Sequence, residues 1–460
     1  MTALTALWRG LNLPESALDA VTVTGSEPQL PSGFRVGTLA ATSIAAVAAA
    51  ANEVWRLRGG EHQTVSVDMA HAVREFRSER YLRVNGAAAP ELWDPIAGAY
   101  RCGDGRWVRV HTNFPHHRKA LVTLLGCADD KASVADAALS WRAEDLETRA
   151  VPAGALAFMQ RSFGEWDLQP QGAALAQEPL IAIDRIGDAP PRRLPGNARR
   201  PLDGLKVLDL TRIIAGPVGG RALAAHGAEV MRITSPKLPS IPPLVMDSGR
   251  GKLSAALDLT SAEGRAGLER LVAQSDVFLQ GYRPGGLAAL GFDPERLAEL
   301  RPGLIHVSLS AFGFSGFWKD RRGFDSLVQT ATGFNDAEAR AFGSEGPRPL
   351  PCQALDHASG YLLALGTLTA FLRQLQEGGS WRIRVSLART GLWLRALGTL
   401  PEGPSCPEPE PADSEHFLEN VESGFGELTT DRHAARLSRT PARWERPSMP
   451  LGSNPPVWPV

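Results

Sequence analysis

"LKVLDLTRIIAGPVGGRALAAHGAEVMRI", residues 205–233, sets a short apolar run, a helical stretch opened by Pro217 and a second apolar run in succession. The alternation continues outward from it. "LSAALDL" (253–259) precedes "SAEGRAGLERLVAQ" (261–274) and "DVFLQ" (276–280); "RLAELRPG" (296–303) precedes "LIHVSLS" (304–310). Strands of about five residues separated by helices of about ten call for a parallel sheet covered on both faces, because parallel neighbours need crossover connections. The expected fold class is therefore α/β, a Rossmann-like doubly wound parallel sheet with a smaller α/β domain beside it. Ligands of such sheets bind beyond the carboxyl ends of the strands, which points to "TRIIAGP" (211–217) and "GYRPGG" (281–286). Neither loop carries G-x-G-x-x-G or a Walker lysine, and Pro217 suits the first position of a helix.

Composition narrows the partners. The 460 residues are 43% hydrophobic and carry a formal net charge of -1, with no run of like charges, so neither nucleic acid nor a membrane surface is an expected partner. Cys102, Cys127, Cys352 and Cys406 are scattered without close pairs, which favours a reducing compartment and a cytoplasmic location. "MTALTALWRG" (1–10) lacks the basic start and apolar core of a secretory signal. "TLAATSIAAVAAAA" (38–51) falls short of the roughly 20 apolar residues of a spanning helix. His116 and His117 are adjacent and expected to point apart, so no metal site is expected.

An internal likeness divides the chain. "VGTLAATSIAAVAAAANEVWRLRGGEHQTVSVDMAHAV" (36–73) parallels "ALDHASGYLLALGTLTAFLRQLQEGGSWRIRVSLARTGL" (354–392): a small-residue helix, a basic end, Gly-Gly and a strand. Such wide spacing suggests two related modules rather than a solenoid. Where the second has Asp356, the first is expected to have Val36 or Gly37.

Six segments, "PLDGLKVLDLTRIIAGPVGGRALAAHGAEVMRI" (201–233), "RGKLSAALDL" (250–259), "GYRPGGLAALGF" (281–292), "VSLSAFGFSG" (307–316), "RRGFDSLVQTATG" (321–333) and "LDHASGYLLALGTLTAFL" (355–372), occur in the order that resembles class III CoA transferases, the CaiB/BaiF family. Upstream, "GEHQTVSVDMA" (60–70), "GAYRCGDGRWVRVHTNFPHHRKALVTLLG" (98–126) and "PQGAALAQEPLIAIDRIGDAPP" (170–191) look like the later half of that family, placed first. The resemblance implies a degenerate partial unit at 1–200 with a small domain at about 85–150 and a Rossmann-like unit with the nucleophile at 201–396, while the proline- and acid-rich composition that begins at "PEGPSCPEPEPADSE" (401–415) reads as a Pro-rich linker and extended tail over 397–460. The resemblance also implies either a pseudo-symmetric monomer or a homodimer.

The activity implied by the resemblance is transfer of CoA from an acyl-CoA to a carboxylic acid, with Asp356 as nucleophile and an aspartyl-CoA thioester on the way. Physical chemistry allows it: a carboxylate at a helix start meets the positive end of the dipole and free N–H groups, which favour its ionised form, and carboxylates serve as covalent nucleophiles. A structural N-cap is the alternative role for Asp356, and His357 is expected to be a surface or packing residue. Coenzyme A contacts carried over by the resemblance are Arg212, Ile214, Leu257, Asp258, Tyr282, Arg283 and Gly313, and Arg250 and Lys252 are further candidates for its phosphates. Related racemases of 2-methylacyl-CoA use a His in a G-H-D triplet that here reads Gly323, Phe324, Asp325. Phenylalanine carries no proton, so transferase is preferred to a racemase-like enzyme unless another His, such as His306, substitutes in space. A non-catalytic acyl-CoA-binding protein is the third reading. In the tail, Trp444 and Trp458 are expected to dock on the body.

Overall fold

The computed structural model describes residues 2–194, 196–283, 285–410 and 415–459. Seven strands build the central sheet: β1 (Ala182–Gly187), β2 (Lys206–Leu210), β3 (Glu229–Thr234), β4 (Lys252–Ala256), β5 (Val277–Gln280), β6 (Ile305–Ser310) and β7 (Ser380–Ser386). Their order across the sheet is β4-β3-β2-β5-β6-β7-β1. β2 to β7 run parallel, and β1 from the first half of the chain closes the edge antiparallel to β7. This is the doubly wound arrangement expected from the alternating pattern. β2 and β5 are neighbours, and the chain leaves them toward opposite edges, so a crevice opens at their carboxyl ends.

Four helices frame that crevice, α2 (Pro115–Leu125), α3 (Ala215–Ala225), α4 (Asp325–Thr332) and α5 (Ala354–Glu377), and α1 (Val36–Leu57) packs against α5. α1 and α5 are buried along most of their length. Alanine and glycine let their axes approach neighbours closely. At Gly360 an added Cβ would come within 2.5 Å of the Ala215 carbonyl and 2.7 Å of Val218, so α3 and α5 cross backbone to backbone there. Gly360→Val is expected to destabilise the protein by about 1–3 kcal/mol through overpacking, read as a lower denaturation midpoint with an unchanged denaturant slope.

The internal likeness has a structural counterpart. α1 connects two parallel strands, Val21–Thr24 and Val65–Asp68, as α5 connects β6 to β7. The residues preceding the two helices, Arg35 and Gln353, share the same backbone angles, φ -78° and ψ 61°. In each helix the third residue donates its N–H to a carboxylate: Thr38 to Glu27 at 2.6 Å, Asp356 to Asp325 at 2.8 Å. By helix position it is Thr38, not Val36 or Gly37, that corresponds to Asp356. The helix start, defined by its backbone, aligns the two segments where their sequences left the gap ambiguous.

The GDG turn joins Gly98–Arg101 to Trp107–Val110, Ala157–Met159 completes a three-stranded sheet, and α2 follows. This unit has its own core, with Tyr100, Val108, Val110, Leu121, Val134 and Leu146 among its members. Beyond residue 397 the chain forms an antiparallel hairpin, Leu418–Ser423 with Gly426–Asp431, which pairs onto Arg83–Val84. Its weak apolar alternation hid it in a stretch read as linker and tail. The two tryptophans do dock: Trp444 Nε1 donates to the Arg221 carbonyl at 2.9 Å, and Trp458, 6% exposed, donates to the Leu271 carbonyl at 3.2 Å. Among the described residues no helix is long and apolar enough to cross a membrane.

Candidate functional site

The turn from β2 to α3 decides the floor of the crevice. Ile213 sits at φ 75°, a left-handed conformation that is costly for a β-branched residue. Ile214 then starts α3 without a side-chain cap. The strained turn presents both isoleucines to a cavity of about 490 Å3. Its walls are largely apolar, with Leu210, Ile233, Leu257, Leu287, Leu290 and Leu309, and Asp356 is among the polar residues that line it.

Of the residues expected around coenzyme A, Arg212, Ile214, Leu257, Asp258, Tyr282 and Arg283 all line this cavity. Gly313 does not. It occupies the turn after β6 at φ 98°, where a Cβ would come within 2.8 Å of Leu175, so its role is to fit the turn. Arg250 and Lys252 are also absent from the walls and are corrected: both are 2% exposed. Lys252 Nζ is bound to Asp209 Oδ2 at 2.6 Å and the Pro217 carbonyl at 2.7 Å, while Arg250 faces Asp247, Thr430 and the Asp431 carbonyl. Buried carboxylates beneath the sheet consume these cations. At the mouth, Lys237 pairs with Asp258 at 2.7 Å, holding that carboxyl at about 2. Arg283 and Arg322 are exposed and, among the described residues, have no ion pair. Arg212 lies over the Phe114 ring at 5.1 Å and donates to the Pro239 carbonyl.

Asp356 is the third residue of α5 and 6% exposed; Gln353, not Asp356, takes the cap position. The expectation that the helix start keeps it ionised is corrected. Burial, then the neighbouring carboxylates of Asp325 and Glu79, push its pKa well above the ordinary range. A helix N-terminus contributes at most about 2 kcal/mol, whereas burial raises a carboxyl by up to about 3–5 units, roughly 4–7 kcal/mol. The Asp356 N–H, moreover, serves Asp325, whose carboxyl burial raises to about 6. Asp325 also accepts from Gln329 Nε2. With these donors Asp325 is the better-stabilised anion of the two, and Asp356 is the carboxyl that burial and its neighbours hold in the higher range.

Behind α5, His357 is fully buried, its Nε2 is 3.1 Å from Glu79 Oε2, and its ring stacks on Phe76 at 5.4 Å. Tyr361 donates to Glu75. The segment around 75–79 from the first half of the chain thus braces the helix that carries Asp356. Glu79 lies in a stretch, 77–86, that carries no motif of its own, and Asp325 lay inside a triplet judged by its phenylalanine.

Phe324 lines the cavity, and histidines gather around it. His111 stacks on its ring at 4.0 Å, and His117 meets it edge-on at 6.3 Å. His116 and His117, expected to diverge, both face the cavity with ring centroids 4.0 Å apart, because the first turn of α2 folds over Phe114. Burial pushes His111 and His117 down to about 3, so both are neutral imidazoles at physiological pH. His306 is elsewhere, buried in β6 and stacked on Phe278 at 5.8 Å.

The sheet order, the switch-point cavity and the carboxyl group in its lining define a doubly wound α/β enzyme. A family model described as CoA-transferase family III matches residues 15–190 and 202–425. The chain belongs to that family, the CaiB/BaiF class of CoA transferases. It is 28% identical over 422 residues to an acyl-CoA transferase of Gibberella moniliformis, covering 82% of this chain and 74% of the relative. With a probable fatty acyl-CoA transferase of Mycobacterium tuberculosis it shares 31% over 273 residues, 54% of this chain and 68% of that one. A succinate–glutarate CoA-transferase of Agrobacterium fabrum is 31% identical over 209 residues, and there the match spans only 52% of the relative. A solved CaiB/BaiF family protein from Brucella suis aligns at TM-score 0.39 with 25% identity, covering 50% of this chain and 65% of that one.

Proposed function

We propose that the protein transfers CoA from an acyl-CoA donor to a carboxylic acid acceptor, with Asp356 as the covalent nucleophile. The observation that carries this reading is that Asp356, itself 6% exposed, lines a largely apolar cavity of about 490 Å3 at the sheet's switch point. An Asp356 oxygen attacks the thioester carbonyl, the C–S bond breaks, and CoA thiolate leaves an acyl-aspartyl anhydride. The thiolate then attacks the aspartyl carbonyl and displaces the donor acid as its carboxylate, leaving aspartyl-CoA. The acceptor carboxylate attacks that thioester, freeing CoA thiolate again. Attack of this thiolate on the acceptor's acyl carbon yields the new acyl-CoA and restores Asp356. Each step exchanges one acyl leaving group, and a dry site with placed donors lowers its barrier. Arg283 and Arg322, exposed neighbouring cations with no ion pair among the described residues, suit the phosphates of coenzyme A, while the leucines and isoleucines suit its pantetheine arm.

The test is incorporation of a labelled free acid into its acyl-CoA, scored over a panel of thioesters and acids. Exchange with ping-pong kinetics supports the reading; hydrolysis or binding without exchange contradicts it. A pH profile adds a second check. Asp356 must lose its proton before it attacks, so kcat/KM rises with pH, and its acid limb is displaced well above the ordinary carboxylate range by burial and by the carboxylates of Asp325 and Glu79. A limb centred near 4 would contradict the burial argument.

His116 and His117, which line the same cavity as Asp356, favour one second reading, racemisation of a 2-methylacyl-CoA, since two groups on opposite faces of a carbon can exchange its proton. Solvent deuterium appearing at C2 of a chiral 2-methylacyl-CoA in heavy water would establish it. Retention of the C2 proton excludes it.

A further inference from the structure

Asp356 faces a second space. A smaller cavity of about 50 Å3 shares Ile213, Ile214, Phe324 and Asp356 with the larger one. Trp93, Ile241 and Leu244 wall it off on the other side. Two polar side chains of this annex have no hydrogen-bond partner among the described residues: both ring nitrogens of His111 and the hydroxyl of Ser326, residues only 5% and 2% exposed. Asn113 in the same wall shows the contrast, since its amide donates to the Leu92 carbonyl at 2.8 Å. Buried polar atoms are nearly always satisfied, so orphaned donors and acceptors next to a nucleophile mark the place of a ligand group.

Resting on the reading of Asp356 as nucleophile, we infer that the annex receives the acyl substituent and selects short acids bearing a hydroxyl group. Size gives the first part. A water needs about 10–15 Å3 by this measure, so the annex holds roughly three to five non-hydrogen atoms beyond the carboxyl carbon. Chemistry gives the second. A neutral imidazole offers one N–H and one bare nitrogen, and serine offers a donor and an acceptor; an alcohol matches both. A second carboxylate would instead meet Glu79 and Asp325 in the wall, with Arg80 exposed at the rim. The strained Ile213 stands between the two spaces, where it separates acyl group from pantetheine.

The experiment compares butyrate, 3-hydroxybutyrate, succinate and octanoate as acceptors. Expected is a kcat/KM for 3-hydroxybutyrate about tenfold above butyrate, the size of one added hydrogen bond, with octanoate and succinate poorer than butyrate. His111→Phe and Ser326→Ala lower the ratio of hydroxy acid to butyrate. Ile241→Ala, at a half-buried position, raises octanoate relative to butyrate. Equal use of butyrate and octanoate overturns the size claim, and succinate ahead of 3-hydroxybutyrate overturns the hydroxyl claim. Thermal shift of the full chain with the free acids gives a readout without turnover. Greater stabilisation by 3-hydroxybutyrate than by butyrate supports the annex even if no exchange occurs, in which case only the nucleophile reading fails. Equal shifts overturn the inference whether or not the protein exchanges CoA.

Discussion

Asp356→Asn is expected to abolish CoA exchange, with a loss of about 10³-fold or more, while the protein folds as before. The size follows from removing the group that bonds to the acyl carbon, since an amide is a poor nucleophile and leaves only binding and electrostatics to act on the thioester. Folding is spared for physical reasons. The N–H that Asp325 accepts belongs to the backbone and survives the change. Burial already disfavours the charged carboxyl at this position, so a neutral amide removes an electrostatic strain rather than a stabilising contact. The variant's denaturation midpoint is therefore expected at or above that of the unchanged protein. Exchange retained within tenfold, in a normally folded Asp356→Asn chain, would remove Asp356 from the mechanism and favour a binding role for the cavity.

Lys252→Met is expected to destabilise the fold by about 3–5 kcal/mol, the cost of stripping one partner from a buried ion pair. Lys252 and Asp209 have side chains 1% and 0% exposed, and their atoms are 2.6 Å apart. Asp209 Oδ1 accepts from the Thr211 N–H at 3.0 Å, so the pair also fixes the start of the turn that carries Ile213. An unpaired Asp209 anion would either be protonated or draw water beneath the sheet. Equilibrium denaturation measures the loss, and pairing the change with Asp209→Leu should recover part of it because no orphan charge remains. A single variant within about 1 kcal/mol of the unchanged protein would show that the pair is not the anchor of this turn.

These two residues also show what a chain of letters reveals. The apolar runs of β2, β3, β5 and β6 are strongly patterned, and parallel strands buried on both faces leave little choice of fold, so the doubly wound sheet was legible. Asp356 stood out as the lone acid in an apolar helix. Its raised pKa did not, because the cause lies in side chains far along the chain: Asp325 lies 31 residues away, and Glu79, which also binds His357, comes from the first half. Lys252 read as a phosphate ligand because a basic residue at a strand start gives no hint of an aspartate waiting 43 positions earlier, two strands away in the same sheet. The hairpin at 418–431 was lost for a different reason: it lies on the surface, pairs with a two-residue strand at Arg83–Val84, and alternates only weakly. His111 and His117 were visible as residues but not as a group, since Phe324 gathers them from another part of the chain.

Peptide mapping after incubation with an acyl-CoA and hydroxylamine tests the central claim most directly, because an aspartyl thioester or anhydride is intercepted as a hydroxamate on the residue that carried it. The account predicts that label on Asp356, dependent on the thioester. An unlabelled Asp356 peptide in a protein that exchanges CoA, or a hydroxamate formed on another residue, would contradict it.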